Sequence, residues 1–183
     1  GYSVMIARQL KLGTKEIEKI KYAALLHDIG KIGISEAVLN KPAKLTPKEF
    51  DTIAMHPILG VSIVQNLESL QDLVPIILYH HERYSGGGYP EGISGNAIPL
   101  GSRIIAVADA WDVMTTDRAY RKALPVEVAT AEMKKCAGTQ FDPEVVDALF
   151  GALSHEEGLE PFTISIEDDL ALVGKDEEYN RFI

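Results

Sequence analysis

His80-His81-Glu82-Arg83-Tyr84-Ser85-Gly86-Gly87-Gly88-Tyr89-Pro90 is the stretch around which the rest of the chain is arranged. Two adjacent imidazoles close an apolar run, and a segment too rich in glycine for helix or strand follows them. That loop runs on to Pro99 with five glycines and two prolines from Arg83 onward, and loops of this length are usually functional. On its N-terminal side, Val74, Ile77, Leu78 and His81 share one face of a helix expected over Leu73 to His81. On its C-terminal side, a helix is expected from Leu100 to about Met114, carrying Ile104, Ile105, Val107, Ala108 and Trp111. The apolar side of that helix includes Asp109, a carboxylate that needs a partner there.

Farther upstream, Tyr2 to Leu12 reads as a helix closed by Gly13, with Thr14 capping the next one. Ile17, Ile20 and Ala24 form the apolar face of this second helix, and His27 continues the same face, which predicts a buried imidazole. Asp28 follows, and Gly30 is expected to stop the helix and leave Lys31 beside the His-Asp pair. Thr46-Pro47-Lys48-Glu49 is a strong helix start, with a Thr cap, Pro in the first turn and Glu three residues after the cap. The helix carries Phe50, Ile53 and Ala54, and His56 before Pro57 predicts a break that re-aims the imidazole. Ile58 to Leu67 resumes it.

Downstream, Thr116 to Lys122 is a short basic connector containing Arg118 and Arg121. Pro125 opens a helix ending at Gly138, and Asp142-Pro143 caps the last helix, through Leu149 and Phe150. The fold class is therefore all-α: one helical domain over residues 1–155 with a long glycine-rich loop. Residues 156–183 read as an acidic tail or linker in which the alternation of Phe162, Ile164 and Ile166 suits a short strand or hairpin. Val4, Ala7 and Leu10 are already in helical register at a start that lacks Met, so the first helix is expected to begin upstream.

With 183 residues and 46% apolar content, the chain can bury one substantial core. A net charge of −9 without a basic run argues against a general DNA or anionic-membrane surface, so a phosphate-bearing ligand needs local cations or metals. Cys136 is alone, which excludes an internal disulfide and makes a reducing cytoplasm the simplest home. No apolar run has membrane-spanning length.

The unusual polar residues on helix faces and ends are His27, Asp28, His56, His80, His81 and Asp109. Any one of them could be an ordinary core residue satisfied by a hydrogen bond. Together they are hard to satisfy by protein hydrogen bonds alone, because each unpaired buried polar group costs several kcal/mol, about 1–3 and more when charged. Divalent ions would resolve that cost, and imidazole with carboxylate suits iron, manganese or zinc, whereas the lack of thiolates disfavours a structural zinc cage. Six such ligands suit two ions with a carboxylate such as Asp28 bridging. Paired metals roughly 3.5–4 Å apart serve displacement at phosphorus, so phosphoester hydrolysis is the expected reaction class.

His27-Asp28-Ile29-Gly30-Lys31, His80-His81-Glu82, Gly88-Tyr89-Pro90, Ile98-Pro99-Leu100, Arg103, Ala108-Asp109, Asp117-Arg118-Ala119-Tyr120-Arg121 and Gly138-Thr139-Gln140-Phe141-Asp142-Pro143 occur in that order. This series resembles the HD-GYP domain, a branch of the HD metal-dependent phosphohydrolases, up to about Leu153. The resemblance implies a helical fold, a centre of two or three metal ions, often iron or manganese, and hydrolysis of the bacterial second messenger cyclic di-GMP to linear pGpG or GMP. By that resemblance His27, Asp28 and Asp109 hold one metal, and Asp28 bridges to a second held by His56, His80 and His81. Asp28 and Lys31 are then the expected catalytic residues, Lys31 meeting a substrate phosphate. Tyr89 shapes the pocket, and Arg118 and Arg121 contact phosphate or guanine.

It further implies the output domain of a larger cytoplasmic signalling protein, partner proteins that use the Gly-Tyr-Pro loop, and a homodimer as one possible state. Two departures keep an alternative open, a catalytically weak domain that senses a cyclic dinucleotide or a partner. Ser85 stands where the family usually has Asp, and a further family His would fall before Gly1. Hydrolysis of ordinary nucleotides is a third reading, against which the Gly-Tyr-Pro loop counts.

Overall fold

The computed structural model describes residues 1–117 and 122–156. Its helices are α1 (Tyr2–Gln9), α2 (Thr14–Leu26), α3 (Glu36–Leu39), α4 (Pro47–Ala54), α5 (His56–Val64), α6 (Val74–Leu78), α7 (Leu100–Thr115), α8 (Val126–Cys136) and α9 (Pro143–Glu156), with 3₁₀ turns at Ile29–Gly33, Glu68–Leu73 and Gly95–Ala97. The expected all-α class holds: among the described residues there is no strand, and one isolated bridge joins Ala137 to Phe141. No helix among them is long and apolar enough to cross a membrane. The connector arginines Arg118 and Arg121, and the tail from 157 with its expected strand or hairpin, lie outside the described residues.

The centre of the fold is α7, buried nearly all round as a helix with apolar residues on every side should be. Ile104, Val107, Trp111 and Met114 join Ile6, Ile20, Met133, Val145 and Leu149 in one cluster, and Ile105 joins Ala23, Val64, Leu73, Ile76 and Ile77 in another. Each fully buried Ile or Leu contributes about 1.5–3 kcal/mol relative to exposure. Gly101 lets α6 come close, since a Cβ there would sit 2.8 Å from Ile76 Cδ1. The Ser102 hydroxyl donates to the Ile76 carbonyl at 2.9 Å. Thus α6, and the two histidines after it, are pinned to the most buried helix.

Local signals were met unevenly. The Thr46 capping box forms in both directions, with Pro47 in the first turn. The break before Pro57 falls at Met55, and His56 opens α5. Closure of α1 differs from expectation: Lys11, at φ 57, takes the left-handed position, while Gly13 is extended. Lys11 N–H donates to Arg8 O and Leu12 N–H to Ala7 O, a Schellman closure that lets Leu12 pack against the core. Thr14 is the first residue of α2, and its side chain makes no cap.

The helix expected to reach His81 ends at Leu78, and both histidines follow in a turn. Successive helical side chains diverge by about 100°, and the turn after Leu78 is what carries both imidazoles to one cluster. Nor does Gly30 stop α2, which ends at Leu26. Gly30 is buried in the following 3₁₀ turn because a Cβ there would collide with the His56 carbonyl oxygen and the Gly60 nitrogen of α5.

Candidate metal centre

Three elements supply the convergent side chains: the end of α2 with its 3₁₀ turn, the start of α5, and the turn after α6. Asp28, His56, His80 and His81 each offer a ligand atom, all within 4.8 Å of one another. His27 and Asp109 fall outside that group of four. His27 remains adjacent, its ring 5.0 Å from that of His80.

The backbone decides how the imidazoles are used. His27 Nδ1 lies 2.9 Å from Ala24 O, His56 Nδ1 2.8 Å from Ile53 O, and His80 Nδ1 2.6 Å from Ile77 O. A carbonyl oxygen only accepts, so each Nδ1 carries the proton and each Nε2 is turned toward the interior. His56 Nε2 and His80 Nε2 then face each other at 3.2 Å. Burial, then the neighbouring His27, hold His80 down to about 3, so near neutral pH its Nε2 carries a lone pair. Burial, then His80 and His56, likewise push His81 well below the ordinary imidazole value.

Asp28 presents one oxygen to each side. Its Oδ1 lies 3.3 Å from His56 Nε2, and its Oδ2 lies 3.6 Å from His27 Nε2 and 2.6 Å from Lys31 Nζ. Burial opposes ionisation of Asp28, but His56, His27 and Lys31 outweigh it and hold the carboxyl far below the usual range. Among the described residues, the buried His27 Nε2 and Asp28 Oδ1 have no hydrogen-bond partner of suitable geometry. Two imidazole Nε2 atoms facing each other at hydrogen-bond distance beside an ionised carboxylate form a donor set that fits a divalent cation. Backbone-anchored Nδ1 atoms are also the usual arrangement behind metal-binding imidazoles.

Tyr89 closes one side. Its ring stacks on His81 at 4.8 Å between centroids and 26° between planes, and its N–H donates to His81 O. Burial, then the carboxylates Asp28 and Asp109, raise its hydroxyl above the ordinary tyrosine value and keep it a donor. Half-buried Asp109 thus lies near enough to act on Tyr89, on the central helix α7.

Matched against known families, residues 1–145 fit the HD domain model. The chain belongs to the HD domain family. The HD domain here is 44% identical over 147 residues to a cyclic di-GMP phosphodiesterase response regulator, RpfG, of Xanthomonas campestris. It is 41% identical over 145 residues to a cyclic di-GMP phosphodiesterase of Thermotoga maritima, and 40% over 153 residues to 3'3'-cGAMP-specific phosphodiesterase 3 of Vibrio cholerae. These matches cover 79%, 78% and 84% of the chain but 39%, 39% and 33% of the relatives, so it spans well under half their length. Among solved structures, an HDG"Y"P protein of Bdellovibrio bacteriovorus superposes with a TM-score of 0.67 at 24% identity, over 84% of this chain and 49% of that one. The V. cholerae enzyme V-cGAP3 gives 0.62 at 23%, over 85% and 44%. Both likenesses concern the fold, and the HD-GYP resemblance read from the motifs stands.

Two parts of this HD domain were missed as site features from sequence. Buried Glu82 accepts from Glu91 N–H at 2.7 Å and Gly92 N–H at 2.9 Å, so its carboxylate clamps the loop just beyond Tyr89-Pro90. Gly88 permits the matching approach, since a Cβ would strike the backbone of His81, Glu82 and Arg83. The Arg103 guanidinium pairs with buried Asp142, joining α7 to the start of α9, where Asp142 also accepts from Glu144 N–H at 2.9 Å. Both had been noted as motif members, but their pairing across 39 positions has no local signal.

Proposed function

We propose that this HD domain, residues 1–155, is a metal-dependent phosphodiesterase. It opens cyclic di-GMP to linear pGpG, to GMP or to both, as the output domain of a longer signalling protein of the bacterial cytoplasm. The observation that carries the reading is the pair of Nε2 atoms of His56 and His80, 3.2 Å apart beside Asp28 with their Nδ1 protons already committed to carbonyls. The names of the Xanthomonas and Thermotoga relatives supply the substrate.

In this reading His56, His80 and His81 would hold one ion, His27 and Asp109 would take part in holding another, and Asp28 would serve both. Iron or manganese suits such a donor set. Bound divalent ions would supply Lewis acidity at phosphorus and bring the pKa of water toward neutral. Lys31, tied to Asp28 at 2.6 Å, keeps a positive charge beside the cluster that is suited to a substrate phosphate. Tyr89 keeps its proton and offers a hydrogen bond to the same group. The roles of Arg118 and Arg121 toward phosphate or guanine rest on the motif resemblance, as does the use of the Gly-Tyr-Pro loop by partner proteins.

The test is to load the purified chain with Mn(II) or Fe(II) and follow cyclic di-GMP by chromatography. Appearance of pGpG or GMP is expected, with turnover at background for His80→Ala while circular dichroism is retained. Metal-loaded protein that turns over none contradicts the proposal. Calorimetric binding of cyclic di-GMP without turnover would favour the sensing role.

A further inference from the structure

Phe50, on α4, has no part in the chemistry described above. It is 41% exposed and, among the described residues, belongs to neither apolar cluster. A lone exposed Phe is ordinary; the setting of this one is less so. The preceding turn is held rigidly, because the Thr46 capping box fixes the start of α4 and Lys41 Nζ grips both Glu49 oxygens at 2.9 and 2.7 Å. The Phe50 ring lies 6.0 Å from that of Tyr89 at 86°, and Tyr89 in turn stacks on His81. Three rings therefore lead from solvent to the histidine cluster.

We infer that the Phe50 ring, set perpendicular to Tyr89, is the surface on which a purine base of the substrate stacks when its phosphate sits at the histidine-aspartate cluster. This rests on the phosphodiesterase reading and adds to it an aromatic surface for the base, beside the arginines that the motif resemblance assigns to phosphate or guanine. A phosphate at the cluster says nothing about the nucleobase attached across the ribose. A base is held either by hydrogen bonds to its edge or by an aromatic face, and the second is tolerant of base identity because every base has a π-face. Phe50 has no polar atom, so it contributes stacking alone, and a purine offers the larger area.

The test compares two ligands on the metal-loaded protein, guanosine monophosphate and ribose 5-phosphate, which share phosphate and sugar and differ in the base. Calorimetry on Phe50→Ala is expected to show GMP affinity reduced by about tenfold, within the range reported for removing a stacked aromatic, with ribose 5-phosphate affinity unchanged. Phe50→Trp is expected to restore GMP binding. Loss of both ligands alike, no change in either, or a wild-type chain that does not prefer GMP would each overturn the inference. Failure of the chain to cleave cyclic di-GMP would instead count against the proposed function, since this comparison requires no turnover.

Discussion

His80 donates Nδ1–H to Ile77 O, is 2% exposed, and sits among other imidazoles. A histidine kept neutral in the fold takes a proton more readily once unfolded, where its pKa is near 6.5 rather than about 3. Between those values the unfolded chain binds more protons. The stability that depends on neutral His80 is therefore complete above pH 6.5 and is lost as pH falls toward 3, by up to about 1.4 kcal/mol per unit. Asp28 acts in the same direction lower down: its depressed pKa gives stability that is present above 3.8 and lost as pH falls through the folded value. Urea unfolding of chelator-treated protein at pH 7.5, 6 and 5 should show falling stability, with a shallower fall for His80→Asn; equal slopes would contradict this account of His80. At this scale the sequence was informative where a residue type was out of place. Imidazoles at His56, His80 and His81 are anomalous beside apolar residues, whereas Glu82 in a polar run reads as solvated until the fold wraps Glu91 and Gly92 around it.

The element scale explains why His56 is where it is. The 3₁₀ turn at Ile29–Gly33 packs against α5 through Gly30, whose missing Cβ makes room for the His56 carbonyl. Gly30→Ala overpacks that contact and should destabilise by about 1–3 kcal/mol, with weaker metal retention because α5 must shift. Gly13→Ala is the control, at an extended position where a Cβ meets nothing within 4 Å. Denaturant midpoints distinguish the two, and similar losses for both would contradict the packing argument. The same scale shows what local sequence can carry. The Thr46 box is made by residues three apart and was legible, as was α7, whose length and apolar content leave no other solution. The ends of α1, α2 and α6 were not: the first two were read from the next glycine, Gly13 and Gly30, and the third from the apolar period. Neither signal registers that Lys11 could accept the left-handed position, or that α6 gives way to a turn that brings His80 and His81 together.

At the scale of the whole molecule, α7 separates two apolar clusters, and the site is built from the elements around the smaller one. α2, α5 and α6 all contribute to or pack on that cluster, and α5 begins at a ligand candidate while α2 and α6 end one or two residues before one. Burial thus places three chain segments so that His27-Asp28, His56 and His80-His81 meet, although they lie far apart in sequence. The order of motifs made the helical class and the His-Asp convergence readable. The pairing of Arg103 with Asp142 and the Glu82 clamp required the folded chain, because both join elements with no local relation. The claim on which the account depends is that this convergence exists to hold divalent ions. Elemental analysis of the folded chain, after incubation with Mn(II) or Fe(II) and gel filtration, tests it most directly. The account predicts about two ions per chain for a bridged pair and a clear loss in Asp28→Asn with unchanged circular dichroism. A folded wild-type chain that retains no divalent metal would contradict it.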